Sequence, residues 1–532
     1  MASLTVYSKV VPSYFMADDF VLIAGASENA VETYHAVQKV GFLRPVIILS
    51  YFIDYKIWKF NALGFHLTNV LFHALNSVLV SALTLILIKI FSGTTVLDKK
   101  NLLISSFAGL FFLVLPCHSE AVSWIAGRTD VIAATFILLS LISGCYYLMK
   151  PDSRVLAAAL ASFCLALYSK ESAIPVPFII LLFAVIQKYL YPEKISILKI
   201  IQIFAMFACV EAAYFIHRFY ALGTFVGGYG AGTHTNFVPH IILDHFARFT
   251  IRTFLSPLSQ EHASLFSHKN LAVTGIIELI CFLAGTAVIM KSGKFHELIK
   301  TEKAELFLLV ALFVCFGLSL TPVISLSVSL FDTQSERLLY FPSAFASIGT
   351  VCCIALVIRY VAAWVPVLCF LIAFSGFHLY KVNLNWAEAG RISKNIALSL
   401  AEHVNSNYVL IINAPDNIKG AYISRNGIGH DLLIKFFNRN IILAVNVISL
   451  HNINSLDEEF ELVIKQKDSK PHFFFSLNGK AIFYYVNENN KHVTVKRAAL
   501  GDNFELYFKD PVEQFNIFTY SAGTLKKVLL PD

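Results

Sequence analysis

Apolar residues fill most of the first 381 positions in long blocks separated by short polar connections. Blocks of this length match a hydrocarbon core about 30 Å thick, which a helix of about 20 residues crosses. The pattern predicts about ten spans, at 62–92, 101–117, 128–149, 155–170, 173–191, 198–222, 271–291, 304–326, 340–360 and 362–381. Residues 1–61 read as a first outer segment, and residues 223–270 as a long outer loop. A loop of that length over a membrane domain ordinarily serves a site. Its glycine run, Gly227–Gly232, has neither the lysine nor the flanking strand and helix of a nucleotide loop.

After Lys381 the pattern changes. Residues Leu384–Glu402 read as a juxtamembrane helix within 382–405. From Tyr408 the apolar runs shorten to Val409–Ile412, Phe473–Phe475 and Ala481–Val486. They are divided by Asn413–Pro415, Asn426–Gly427, Asn478–Gly479 and Gly501–Asn503. Short runs bounded by such turn residues predict strands. The fold class expected is therefore a polytopic α-helical membrane domain over 1–381 and a β-rich extracytoplasmic domain over 406–532. A small sandwich or jelly roll is the form expected for the latter.

Composition sharpens this picture. Of 532 residues, 57% are hydrophobic and only 14% charged, with mean hydropathy +0.65. Soluble chains carry nearer a quarter charged residues, so a bilayer must solvate much of this surface. The net charge of +7 includes no basic stretch interleaved with aromatics, which argues against nucleic acid. The basic residues Lys99, Lys100, Lys150, Arg154, Lys188, Lys194, Lys199, Lys291, Lys294, Lys300 and Lys303 fall on alternate connections and mark a cytoplasmic side. The nine cysteines all precede residue 370 and form neither a disulfide framework nor a zinc spacing. The N-terminus shows no cleavable signal pattern, and no helical repeat is visible in the tail.

Ionisable groups at membrane depth are costly and mark function by default. Five clusters qualify, and the expected topology puts all of them on the outer face. Asp18 and Asp19 are adjacent carboxylates, suited to general-base work or to ligating a metal or hydroxyl, although spacing alone favours a helix cap or a solvated loop pair. His66, Asn69 and His73 share one helical stripe, which serves a site or simply bonds neighbouring helices. In the run Pro116–Asp130, His118, Glu120, Arg128 and Asp130 crowd a short turn. An arginine there suits a phosphate, or pairs with Asp130 or Glu120. Lys170 and Glu171 lie at a junction of spans, and Glu336, Arg337 and Tyr340 at the mouth of another. Arg248 and Arg252 add two cations in the long loop. Taken together, two carboxylates and several cations converge where a lipid-borne phosphate could enter sideways.

The phrases FMADDF, FHLTNVLFHALN, CHSEAVSWIAGRTDVIAA, YSKESAI and SERLLYFPS carry a resemblance over roughly residues 10–400. The chain resembles the membrane domain of the transmembrane and tetratricopeptide-repeat O-mannosyltransferases and their bacterial relatives, of the GT-C glycosyltransferase class. The resemblance implies transfer of a sugar, mannose or another hexose, from a polyprenyl-phosphate carrier to a hydroxyl of a protein, lipid or glycan on the extracytoplasmic face. Asp18 or Asp19 would deprotonate the acceptor, with inversion at the anomeric carbon. Arg128, Lys170, Arg252 and Arg337 would hold the lipid phosphate. His66, Asn69, His118, Glu120, Asp130, Glu336 and Tyr340 would lie at the sugar or acceptor, and a divalent metal at His118 and Glu120 is left open. Two departures stand out: family members begin with a span ahead of the aspartate pair, and the tail here is β-rich where they carry repeats. The latter fits a bacterial inner-membrane homologue facing the periplasm. The competing class is a transporter or flippase of lipid-linked sugars. Internal repeats and broken helices at the midplane would favour it, and the sequence shows neither.

Overall fold

The computed structural model describes residues 2–93, 98–225, 228, 238–258, 295–358, 360–403, 408–425, 444–453, 461–466, 472–478, 483–486, 493–497 and 503–529. The span expected at 271–291 and most of the glycine run lie outside these residues.

The long helices begin and end where their sequences supply caps. Helix α5 (Ala62–Ser92) opens at Asn61, whose side chain accepts the N–H of Leu63, and stops at Gly93 with φ 70°. Its predecessors are α1 (Ala2–Val6), α2 (Asp19–Glu28), α3 (Ala30–Lys39) and α4 (Pro45–Trp58). Next, α6 (Lys99–Val114) opens at Asp98, which accepts the Asn101 N–H. Pro116 then forces Leu115 into an extended conformation. The chain turns by 56° into the segment Pro116–Ser123, which contains α7 (Ser119–Ser123). It continues through α8 (Arg128–Met149), α9 (Ser153–Leu167), α10 (Val176–Leu190), α11 (Ile197–Leu222) and α12 (Pro239–Phe254). After these come α13 (Phe295–Leu320), α14 (Pro342–Val357) and α15 (Val361–His403).

Nine of the ten expected spans fall on helices (α5, α6, α8, α9, α10, α11, α13, α14 and α15), and the tenth, 271–291, lies outside the described residues. Among the described residues five helical segments are long and apolar enough to cross a bilayer, and the bent α6–α7 pair adds a sixth. The segments α9, Ala304–Leu320 and α14 are shorter. A helix of 16 residues such as α14 extends only about 24 Å. Residues 1–61 are also more than a loop. Helix α4 exposes Leu49, Ile53 and Ile57 at 55%, 49% and 65%, four residues apart on one stripe, while Asp54 is buried. The last expected span and the juxtamembrane helix form one helix, α15, of 43 residues.

The tail contains strands β1 (Tyr408–Ile418), β2 (Ala421–Tyr422), β3 (Ala444–Ile453), β4 (Glu461–Gln466) and β5 (His472–Asn478). These are followed by β6 (Phe483–Val486), β7 (Val493–Arg497), β8 (Asn503–Phe508), β9 (Phe515–Ser521) and β10 (Thr524–Lys527). One sheet runs β10-β9-β1-β3-β6 with β2 paired to β1, and the other β4-β5-β8-β7. Two sheets sharing a core match the expected sandwich. The jelly roll does not hold, because β1 pairs in parallel with both β3 and β9, whereas jelly rolls are antiparallel. Strands β1 and β2 are joined by Lys419 and Gly420, both at positive φ, 49° and 88°. That is the two-residue turn whose twist matches a hairpin.

Two cores hold the molecule together. One fills the helical domain. The other combines Phe15, Met16 and Phe20 of the first segment, Trp124 and Ile125 of the turn before α8, Trp386 of α15, and Val409–Ile412 and Phe518 of the tail. The tail is thereby packed against the helical domain, not tethered to it.

Candidate functional site

The turn between α7 and α8 is the site's framework. Asn69 on α5 donates from Nδ2 to the carbonyls of Val122 (3.3 Å), Trp124 (3.0 Å) and Ile125 (3.3 Å). One amide thereby ties α5 to three carbonyls of the irregular chain. Gly127 completes the turn, since a Cβ there would lie 2.5 Å from the Glu120 carbonyl. On the same stripe His73 bonds Tyr340 (2.8 Å) and the Leu113 carbonyl (3.0 Å). Asn69 and His73 of the polar stripe therefore bond neighbouring helices and the turn.

The acidic pair divides its labour. Ala17 takes φ 48° and donates to the Ile423 carbonyl at 3.0 Å, turning the chain so that Asp18 and Asp19 face different ways. Asp18 lines a cavity of ≈ 1040 Å³. Asp19 is fully buried and accepts from Met16 N and Ala126 N, both at 2.9 Å. It bolts the first segment to the framework turn. Burial pushes its carboxyl up to about 8, against the opposing pull of those two N–H groups.

The same cavity is lined by Trp124, Ala126, Thr129, Asp130, Lys170, Arg337 and Arg44. Lys170 pairs with Asp130. Arg337 donates to Glu120 Oε1 from Nη1 (2.8 Å) and to Oε2 from its backbone N–H (2.9 Å). Its Nε lies 3.9 Å from Asp130, and its guanidinium lies 5.3 Å from the Trp124 ring centroid. Lys170 and Arg337 thus reach the cavity from either side of Asp130. Its exposed lining residues include Val21 and Val40, at 41% and 63%, together with the polar Glu28, Asn29, Glu32, His35 and Lys39. Ile47 and Ile48 of α4 also line it.

Other expected residues lie behind the cavity wall. Arg128 is fully buried; it bonds Asp54 (2.7 Å) and the Phe65 carbonyl (3.1 Å), so neither Asp130 nor Glu120 is its partner. Arg252 is fully buried against Glu336 and donates to the Ser329 carbonyl (3.0 Å). Glu336 also accepts from Ser119 Oγ (2.8 Å). His66 and Tyr340 are buried, and Tyr340 also accepts from Asn76 (3.1 Å). Arg128, Arg252, Glu336 and Tyr340 are therefore committed to carbonyls, acids and other buried side chains outside the cavity lining, whereas neither ring nitrogen of His66 has a hydrogen-bond partner among the described residues. His118 Nε2 bonds Ser343 Oγ (2.7 Å), Glu120 serves Arg337, and among the described residues no three His, Cys, Asp or Glu groups converge as donors.

Sequence reasoning missed four contributors. Arg44 lines the cavity and shares Glu171 with Arg218, at 2.8 and 2.9 Å. Asp54 was legible as a carboxylate inside the apolar run Val46–Ile57, had that run been read as a membrane-facing helix. Trp124 stood within the run Pro116–Asp130, where the ionisable neighbours drew notice and its own side chain did not. Tyr422 of the tail reaches Glu120 Oε1 at 3.1 Å, and no local signal announces that contact.

No family model matches the chain. Parts of it are similar to curated proteins. Over 119 residues it is 32% identical to the human protein O-mannosyl-transferase TMTC3, a stretch covering 22% of this chain and 12% of that protein. Over 103 residues it is 38% identical to human protein O-mannosyl-transferase TMTC2, covering 19% and 11%. Over 134 residues it is 29% identical to Drosophila melanogaster protein O-mannosyl-transferase Tmtc1, covering 25% and 14%. The chain thus matches only about an eighth of the length of these relatives. Among solved structures, ArnT from Cupriavidus metallidurans, in a crystal structure bound to undecaprenyl phosphate, aligns over 83% of this chain and 84% of its own. At 13% identity and a TM-score of 0.34, that likeness settles neither fold nor chemistry.

Proposed function

We propose that this chain is an inverting GT-C glycosyltransferase that moves a hexose, mannose in the first instance, from a polyprenyl-phosphate carrier to an acceptor hydroxyl. The observation that carries the reading is a single cavity that brings Asp18 together with Asp130, Lys170 and Arg337, beside a helix, α4, that exposes an apolar stripe. Its partial similarity to O-mannosyl-transferases supports glycosyl transfer, with mannose and a hydroxyl of a protein side chain, a lipid or a glycan as the sugar and acceptor proposed.

In this reading Asp18 takes the acceptor proton as the hydroxyl oxygen attacks the anomeric carbon. The bond from that carbon to the phosphate oxygen breaks, and configuration inverts. A positioned base contributes about 10²–10⁴-fold. The departing lipid phosphate gains charge, which Arg337 and Lys170 meet with charge-assisted hydrogen bonds. Asp130, shared by both cations, holds them in place before the donor arrives. The prenyl chain leaves over Val21, Val40 and the exposed stripe of α4. Basic residues gather at the opposite end, where Lys194 bonds the Gly93 carbonyl (2.8 Å). Under the positive-inside rule the cavity then faces the periplasm or exterior.

The test is transfer from a panel of radiolabelled polyprenyl-phosphate sugars, with release of free polyprenyl phosphate measured alongside. Asp18→Asn should lose at least about 100-fold in turnover while inserting normally. Full transfer by Asp18→Asn removes the base assignment. Movement of intact donor across the bilayer without bond cleavage removes the enzyme reading altogether.

A further inference from the structure

We infer that the β1–β2 hairpin of the C-terminal domain is a working part of the cavity, with Tyr422 acting as the positioning residue for Arg337 through Glu120. The inference rests on the proposed role of Arg337 as a phosphate ligand.

Glu120 is fully buried and has three donors: Arg337 Nη1, the Arg337 backbone N–H and the Tyr422 hydroxyl. Two of these fix Arg337, and the third comes from a residue 302 positions away. A buried carboxylate rotates when a donor is lost, because each unsatisfied lone pair is costly. The tyrosine hydroxyl therefore sets the angle at which Glu120 presents itself to Arg337. Burial pushes the Tyr422 phenol up, so it stays protonated and donates. Its ring meets Trp124 edge-on, with centroids 4.9 Å apart, and Trp124 in turn flanks the Arg337 guanidinium. One tail residue thus touches two neighbours of the cation, Glu120 and Trp124.

The hairpin reaches the other side of the cavity as well. The Ile423 carbonyl, one residue on, receives the N–H of Ala17, whose positive φ turns the chain into Asp18. The hairpin's own turn is seated tightly: a Cβ on Gly420 would lie 2.4 Å from Thr333 N, three residues before Glu336. Hairpin residues 419–423 therefore contact the supports of both the proposed base and the proposed phosphate ligand. A tail that served only to recognise acceptors would have no need of these contacts.

The experiment uses the full-length protein in detergent and Tyr422→Phe, which removes one oxygen and keeps the ring. Two quantities are read: affinity for farnesyl monophosphate, and hydrogen exchange in the stretch 333–340, which contains the Arg337 amide. Loss of a hydrogen bond to a charged group predicts about tenfold weaker binding. It also predicts several-fold faster exchange confined to 333–340, with the thermal midpoint nearly unchanged. Unchanged exchange overturns the inference, as does faster exchange with unchanged affinity in a wild type that binds. Faster exchange spread through the helices also overturns it, because that describes a merely structural contact. A wild type that binds no farnesyl monophosphate, while Tyr422→Phe still speeds exchange at 333–340, leaves the coupling standing and sinks the glycosyltransferase reading instead.

Discussion

Asp18 and Asp19 share a motif but not an environment, and their separation has measurable consequences. Asp19 is sealed between two backbone N–H groups, with its carboxyl raised by burial to about 8. A carboxyl whose folded pKa is raised favours the fold in acid, and loses that contribution as pH climbs from its unfolded value toward 8. The thermal midpoint of the wild type should therefore rise as pH falls from 8 to 5, and that of Asp19→Asn should rise less. Equal slopes would show that Asp19 is not the titrating group. A second residue-scale prediction concerns Arg128 and Asp54, buried together. Asp54→Ala strands a buried guanidinium, at a cost of about 3–5 kcal/mol. Arg128→Met with Asp54→Leu removes both charges and should recover most of that loss in a detergent unfolding assay. If the double variant is no better than Asp54→Ala, the ion pair is not what the site requires. That these positions carry charge was plain from the sequence; which opposite charge each one meets was not, because an apolar run reports burial but no partner.

At the scale of elements, the small residues of the helical domain set how closely its helices approach. A Cβ on Gly109 of α6 would lie 2.1 Å from Ser81 Oγ and 2.4 Å from the Ser77 carbonyl on α5. Ser77 also donates to the Gly109 carbonyl at 2.8 Å. This is close backbone packing of the kind small residues permit in membranes. Gly109→Val should cost about 1–3 kcal/mol by overpacking, seen as a lower thermal midpoint, and an unshifted midpoint would mean the helices part without penalty. Elements such as α5 and α8 were legible because their apolar runs are long and their ends carry local signals such as Asn61 and Gly93. Helices α1 to α4 were not, since α1 to α3 are short or mixed in composition and the apolar run of α4, 14 residues with Asp54 and Lys56 inside it, is shorter than a span. The parallel pairing of β1 with β3 and β9 was equally hidden, because alternation within a strand says nothing about its neighbours' direction.

At the scale of the whole molecule, the two domains meet through one core and one hairpin. Gly420 at φ 88° admits no side chain without moving Thr333. Gly420→Ala should therefore shift the hairpin and lower transfer by about tenfold or more, through loss of a charge-assisted hydrogen bond at Glu120, with membrane insertion intact. Wild-type turnover by Gly420→Ala would separate the tail from the chemistry.

The sequence by itself determined that this chain crosses a bilayer several times, carries a β-rich tail, and concentrates charge in five motifs. Each of those properties is local: hydropathy, turn residues and spacing act over a few residues and can be read along the chain. Only the tertiary structure decided that Asp18 lines the cavity while Asp19 is bolted away, that Arg128 belongs to Asp54, and that Glu120 is shared by Arg337 and Tyr422. Those pairings join residues as far as 302 positions apart. They exist only once packing has closed the chain, because a buried charge takes whichever partner the fold brings within hydrogen-bond reach.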